Sequence, residues 1–308
     1  MDLREVSGRP PGKAWHTFAI VTVGMTFLLI LMGALVTNND AGDSIPDWPL
    51  AYGSVVPVTH LRGPALYEYF HRVMGGTVGL LTIILSAGVV IRERRASTRI
   101  LAVVCVCWLA VQAILGGVRV RLGESNSFVV AAIHAFSAEV FLGILAALTV
   151  TISPRWWALG FRQEVELPRG LVWLASAMSL SVLLQSLLGA GFRHRIFGIL
   201  PHAAGAVLVS LLVVLVSVAV HRKGRVGCKR STMQLLFTPI RIALWIAGVQ
   251  LLLGLASYAL MEMSSAHARL APVLVIVSVA HLGLGSALLV DTIVFWLRAL
   301  RLRMSWRR

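Results

Sequence analysis

The chain has 308 residues, of which 57% are hydrophobic and 13% charged, with a mean hydropathy of +0.83 and a formal net charge of +15. Soluble domains run nearer a quarter charged, so this composition is that of an integral membrane protein. The positive excess does not point to nucleic acid. The Lys and Arg residues lie in short segments between apolar runs, where they act as an orientation signal.

The N-terminal stretch MDLREVSGRPPGKAWHTF is polar for too long to be a simple secretory signal, and no small-residue cleavage site follows the apolar run near 18–36. That run reads as an uncleaved first span, and the lack of an Arg- and Ser-rich transit peptide leans towards a bacterial chain. Seven further runs follow, at about 67–91, 99–118, 128–152, 170–190, 197–220, 240–260 and 272–297. Each is close to the roughly 20 apolar residues that a span needs. An even count puts both termini on one side. Only Arg62, Arg72, Arg119, Arg121, Arg193, Arg195 and Arg269 fall in the alternate set of segments, out of 28 basic residues. Both termini are therefore expected in the cytoplasm.

The spans repeat in pattern. QAILGG (112–117), QSLLGA (185–190) and QLLLGL (250–255) each sit late in an outward-going span, and LILMGA (29–34) has Leu29 where the Gln would be. The even-numbered spans carry His71, His134, His202 and His281. The sequence thus predicts an all-α membrane protein of eight transmembrane helices, arranged as two tandem four-helix bundles, residues 1–153 and 154–308. Cys105 and Cys107 lie in an apolar run and Cys228 in a basic loop, which is neither a disulfide framework nor a CxxC pair.

Nine histidines are present. His16, His60, His194, His221 and His267 fall in tails or loops and read as surface residues. The other four lie in the outer halves of spans, one per even helix, in both halves of the chain. Two imidazoles from facing helices can share a metal, but a zinc or di-iron site needs further ligands. Glu68 is one turn from His71, whereas the matching position before His202 is Ile199. A bare His pair suits an iron porphyrin, which brings its own four equatorial nitrogens and needs only axial ligands. The residues four after each histidine, Gly75, Ala138, Ala206 and Gly285, are small and share its face, which leaves room for a flat ring. Arg72, Arg119, Arg121, Arg193 and Arg195 lie on the same outer side and suit the carboxylates of haem propionates. Other intramembrane polar groups read as structural. Glu139 is about 140° round the helix from His134, Asp291 is placed to pair with Arg298, and Gln112, Gln185 and Gln250 bond between helices. Two haem-type sites are expected, and only the first carries a carboxylate.

SIPDWPLAYGSVVP (44–57), its lead-in LVTNNDAG (35–42) and EYFHRVMGG (68–76) resemble the outer loop and second helix of the haem A synthase family. The remaining three histidines extend the resemblance over most of the chain. It implies oxidation of the C8 methyl of haem O to a formyl group, giving haem A for terminal oxidases. It further implies His71 and His134 as axial ligands of the substrate haem, His202 and His281 as ligands of a haem b cofactor, and Glu68 as the acid–base or cation-stabilising group. The implied setting is a bacterial inner membrane, with the haem sites towards the outer face. Implied partners are haem O and haem A, haem O synthase and oxidase assembly factors, with a homo-oligomer as an option. Some members of the family carry a cysteine pair bracketing the PDWP stretch; here those residues are Ile45 and Ala51, and no outer loop has a cysteine. Asp47 and Trp48 also read as a turn residue and an interface anchor. Two other functions fit the four histidines: a di-haem b-type electron-transfer cytochrome, and a haem transporter or chaperone.

Overall fold

A computed structural model describes residues 12–57, 61–123, 127–159, 167–224, 230–264, 269 and 271–306; His60, Cys228 and His267 lie outside these. The described residues form α1 (Lys13–Asn38), α2 (Pro64–Arg92), α3 (Ala96–Leu122), α4 (Phe128–Thr151), α5 (Pro154–Leu159), α6 (Arg169–Arg193), α7 (Ile199–Gly224), α8 (Arg230–Ser264) and α9 (Ala271–Trp306). All but α5 are long and apolar enough to cross a membrane, giving the eight spans that the sequence predicts. The chain is a multi-pass helical membrane protein.

Helix boundaries follow local chemistry. Pro64 occupies the first turn of α2 after Gly63, whose φ of 55° favours a residue without Cβ. Gly123 ends α3 with a φ of 69°. The short α5 was not foreseen. It starts at a Ser-Pro step, where Ser153 Oγ accepts the Trp156 N–H at 3.1 Å. The helices also outrun their apolar stretches. α8 and α9 have 35 and 36 residues, and at about 1.5 Å per residue both exceed the ~30 Å hydrocarbon core. Hydroxyls inside the spans bond to their own helix: Thr22 donates to Phe18 O at 2.9 Å, Thr26 to Thr22 O at 2.8 Å and Thr149 to Leu145 O at 2.9 Å. These three hydroxyls are buried and satisfied in this way, whereas those of Thr82, Ser86 and Ser137 are buried with no partner among the described residues.

The spans pack as two rings. In one, α1 contacts α2, α2 contacts α3, α3 contacts α4, and α4 returns to α1; α6, α7, α8 and α9 do the same in the other. The rings meet where α4 touches α6 and α9 and where α1 touches α9. In each ring the histidine-bearing helices, α2 with α4 and α7 with α9, are diagonal partners.

Burial is uneven along the rings. One apolar cluster runs from Ala19 to Ile152 and includes Leu85, Phe141 and Leu145; a second runs from Leu159 to Leu302 and includes Val213, Ile240 and Phe295. Both occupy the end of the molecule where α1 begins. Towards the histidine end, the core of the second ring stops at Val182 on α6, Val209 on α7, Ala247 on α8 and Ser286 on α9. Beyond that level only Gly191 and Gly283 are buried in these four helices. His202 and His281 therefore lie above the packed core of the second ring.

At the core end, Trp15 of α1 covers Gly88 of α2 so closely that any Cβ there would overlap the indole ring. Overpacking of this kind costs about 1–3 kcal/mol. Gly88→Val is expected to lower the thermal unfolding midpoint of the detergent-solubilised protein, and Trp15→Ala to restore part of it in the double variant. An unchanged midpoint would show that α1 and α2 do not pack in this register.

Candidate functional site

Each of the four histidines rests on a glycine of the preceding span. His71 Cε1 lies 3.1 Å from where a Cβ on Gly33 would stand; the distances are 3.6 Å for His134 and Gly116, 3.0 Å for His202 and Gly189, and 3.1 Å for His281 and Gly254. These glycines are the ones in the repeated LILMGA, QAILGG, QSLLGA and QLLLGL segments. The repeat was legible in the sequence, but its purpose was not: it lets an imidazole approach the neighbouring backbone. Two of the glutamines four residues earlier, Gln185 and Gln250, also face the even helices. Gln185 Nε2 donates to His202 O at 2.8 Å and lies 3.1 Å from His202 Nδ1. Gln250 Nε2 stands 2.9 Å from a Cβ placed on Gly285. Space beside the rings is thus not uniform: a Cβ on Gly75 would meet nothing within 4 Å, while Gly285 faces an amide.

The second pair, His202 and His281, has ring centroids 6.1 Å apart and planes at 79°. Bonds of about 2 Å from each ring nitrogen to one metal, plus the reach from nitrogen to ring centre, give a separation of about 6 Å. The separation is therefore one that two imidazoles on a single iron would have. In the first pair, His134 is within electrostatic range of His71, Arg119 and His194. Nδ1 of His134 is buried without a hydrogen-bond partner among the described residues, while His71 and His281 lie within reach of the backbone of Leu29 and Gln250. Among the described residues, no three His, Cys, Asp or Glu side chains gather as a metal-binding group. Two imidazoles per ring are available, which matches a group that supplies its other ligands itself.

The first ring carries a loop that the second lacks. Residues 39–57 fold over its histidine end, with Ile45, Ala51 and Ala65 forming a small cluster packed by Tyr52 and Tyr69. Trp48 lies on Gly117 of α3, its ring 3.0 Å from a Cβ placed there. Glu68 and Arg72 hold this loop down. Glu68 is 4% exposed; its Oε2 accepts the Ile45 N–H at 2.9 Å and its Oε1 accepts Arg72 Nη2 at 2.6 Å. Arg72 also donates to Asp47 O at 2.6 Å, Leu50 O at 2.8 Å and Ile45 O at 3.1 Å. The Asp47 carboxylate accepts the Tyr52 and Gly53 N–H groups, both at 2.7 Å. The Gly53 N–H, with that of Tyr52 and the nearby Arg72, holds the Asp47 carboxyl below its usual range.

The remaining basic residues part company. Arg119 stands against Gly42 and within electrostatic range of His71 and His134. Arg193 crosses from the second ring to the end of α1, donating to Thr37 O at 3.0 Å and Asn38 Oδ1 at 3.3 Å. Arg121 and Arg195 are exposed. His194, read as a surface residue, is half-buried beside Arg119 and Arg193; burial, reinforced by those two cations, pushes its imidazole down to about 4. Arg193 is its neighbour in sequence, but Arg119 belongs to the first ring and approaches it only in space. Asp291 and Arg298 interact electrostatically on one face of α9, while Arg298 donates to Leu235 O at 3.1 Å.

Fold and site together define a multi-pass helical membrane protein with two histidine pairs, one in each four-helix ring. The COX15-CtaA family, described as cytochrome oxidase assembly protein, matches residues 16–199. The chain belongs to this family. The match spans the first ring and α6 and stops before His202. Among curated proteins, the chain is similar to the heme A synthase of Exiguobacterium sp. strain AT1b, at 31% identity over 176 residues, 56% of each chain. It is also 32% identical to that of Exiguobacterium sibiricum over 178 residues, 57% of this chain and 58% of the relative. The heme A synthase of Shouchella clausii is 32% identical over 136 residues, 43% of this chain and 44% of the relative. The chain spans about half the length of the curated relatives it matches.

Two outcomes follow from the loop. Hydrogen bonds to charged groups contribute about 1.5–3 kcal/mol each, and every 1.4 kcal/mol is about tenfold in an equilibrium. Arg72→Gln is therefore expected to raise amide hydrogen exchange across residues 44–57 by roughly ten- to a hundredfold, and unchanged protection would show that Arg72 does not hold the loop. The lowered Asp47 carboxyl stabilises the loop above the ordinary carboxylate range and loses that effect as pH falls through its folded value. Exchange at Tyr52 and Gly53, after correction for intrinsic rates, should accelerate below that point in the native chain and be insensitive to it in Asp47→Asn.

Proposed function

We propose that this chain is a haem A synthase, oxidising the C8 methyl group of haem O to a formyl group and so providing haem A for terminal oxidases. The observation that carries the reading is the pair of histidines on diagonal helices in each ring, together with membership of the cytochrome oxidase assembly family. His71 and His134 hold the substrate haem O in the ring of residues 1–153. His202 and His281 hold haem b in the ring of residues 154–308, and Gln185 fixes the orientation of the His202 ring. Haem b, when bound, supplies one-electron chemistry close to the substrate ring.

The chain's own residues position and shield the reacting group. Gly33 and Gly116 let the first two imidazoles approach the helix wall, so the ring plane is set by backbone rather than by flexible side chains. The loop of residues 39–57 excludes water from that site. Glu68 is the carboxylate of the site and, in this arrangement, both of its oxygens accept hydrogen bonds. It acts on the substrate as base or cation stabiliser only when the Ile45 N–H lets go of Oε2, which ties the chemistry to movement of the loop. Arg72, Arg119, Arg121, Arg193 and Arg195 are the candidate propionate-binding residues; Arg72 and Arg193 would exchange hydrogen bonds made within the chain to do so. The N- and C-termini are cytoplasmic and the histidine end faces outward, following the distribution of Lys and Arg. Haem O synthase and oxidase assembly factors are the partners that this role requires, in a bacterial cytoplasmic membrane.

The like construction of the two pairs, a ring on a glycine in each case, favours a second reading: a di-haem b-type cytochrome that only passes electrons. The pyridine haemochrome spectrum and extracted-haem chromatography of the purified protein separate the two. Haem A synthase is expected to contain haem b together with haem O or haem A, with the latter two lost in His71→Ala. Gly254→Leu is expected to displace His281 and remove haem b, while Gly248→Leu, where a Cβ meets nothing within 4 Å, retains it. Haem b alone, with haem O supplied, would leave the electron carrier as the surviving reading.

A further inference from the structure

One ionisable side chain in the middle of the membrane has no part in the loop or the histidine pairs. Glu139 lies halfway along α4 and is 7% exposed. Its Oε1 is 2.6 Å from Ser286 Oγ on α9. Its Oε2 is buried and has no hydrogen-bond partner among the described residues. Glu139 takes part in neither the Glu68–Arg72 nor the Glu93–Arg95 ion pair. Ionisable groups at this depth are costly and rare, and they mark function unless a structural partner accounts for them.

The hydrogen inventory indicates the form of this group. Ser286 Oγ lies 2.6 Å from Glu139 Oε1 and 3.2 Å from Leu282 O. A hydroxyl has a single hydrogen. An ionised Glu139 and the Leu282 carbonyl would compete for it; the carbonyl keeps its helical N–H partner in either case, whereas the carboxylate would hold at most that one hydrogen bond, with Oε2 bare. If Glu139 brings its own proton, it donates to Ser286 Oγ, and Ser286 donates to Leu282 O. Both short contacts are then hydrogen bonds, and no bare charge is buried.

The location is equally specific. Glu139 is five residues after His134, and Ser286 is five residues after His281. The two positions are equivalents in the two rings, and they meet where α4 packs on α9. A member of each histidine pair stands on the same two helices, on the outward side of this contact.

We propose that Glu139 is a protonated carboxylic acid shared by the two histidine sites as a proton donor and acceptor. It releases one proton to bulk water when one electron is removed, by an added oxidant such as ferricyanide, from an iron held at His202 and His281. It regains the proton when the electron is returned. The first part stands on the hydrogen bonding alone; the coupling rests on the haem reading given above.

Infrared spectroscopy tests both parts on the full-length protein. The spectrum of the unmodified chain minus that of Glu139→Gln should contain the carbonyl stretch of a protonated carboxyl group, shifted in D2O. In Ser286→Ala the band should persist at a different frequency, since the acid remains and its hydrogen bond is lost. Absence of any carboxylic acid band assignable to Glu139 would overturn the proposal. In oxidised-minus-reduced spectra of the haem-containing protein, the band should lose intensity on oxidation, and this feature should vanish in Glu139→Gln. A band that ignores the redox state would overturn the shared role. A preparation with no haem in its visible spectrum would overturn the haem reading, and the coupling with it, while the static band still decides whether Glu139 carries the proton.

Discussion

The arrangement depends on the contact of an imidazole edge with a glycine, made once on each of the odd-numbered spans. A histidine inside lipid needs partners, and a helix wall of ordinary side chains would hold its ring away from the neighbouring backbone. Glycine at 33, 116, 189 and 254 removes the Cβ that would intervene, at distances of 3.0–3.6 Å from the rings. The small residue serves close approach, as small residues do wherever helices meet in a membrane. Here the approaching group is a side chain, and that fixes the height and direction of each ring. The diagonal relation of α2 to α4 and of α7 to α9 then sets one imidazole across from another.

The two rings share this device and differ in what lies above it. Over the first, the chain inserts a loop between α1 and α2, whereas α6 and α7 are joined by only a few residues. Glu68 and Arg72 occur in one ring because only that ring has a loop to secure. The asymmetry that stands out in EYFHR is thus one of architecture as well as chemistry. A carboxylate with both oxygens engaged, as in Glu68, differs from a free one. Its availability depends on how firmly Ile45 and Arg72 hold it.

Much of this was legible in the sequence. Eight apolar runs gave eight spans, because bilayer thickness imposes a length that few other constraints override. The four histidines stood out for their regular placement. What could not be read was proximity. The QxxxG segments were visible as a repeat, yet their glycines gained meaning only with the rings lying on them. Arg72 and Glu68 read as separate ligand-facing groups; their bonds to each other and to Ile45, Asp47 and Leu50 of the loop could not be read. His194, read as a surface residue, is half-buried, and its contact with Arg119 crosses between the halves, as does that of Glu139 with Ser286; helical geometry within one span says nothing about a neighbour across a seam. Helix α5 was missed although its Ser-Pro start is a recognisable cap, since six residues leave no periodicity to detect.

The packed core ends below the level of the histidines in the second ring. Folding and function are therefore carried by different ends of the same helices. Residues such as Val213 and Phe295 keep the helices together, while those above them are released from that duty. In evolutionary terms, the histidine end is free to drift. A duplicated ring could lose a carboxylate, gain a loop or change its occupant without first solving a stability problem. The same division makes the second ring a scaffold for redesign, in which a new planar cofactor could be installed by altering one end and leaving the other untouched.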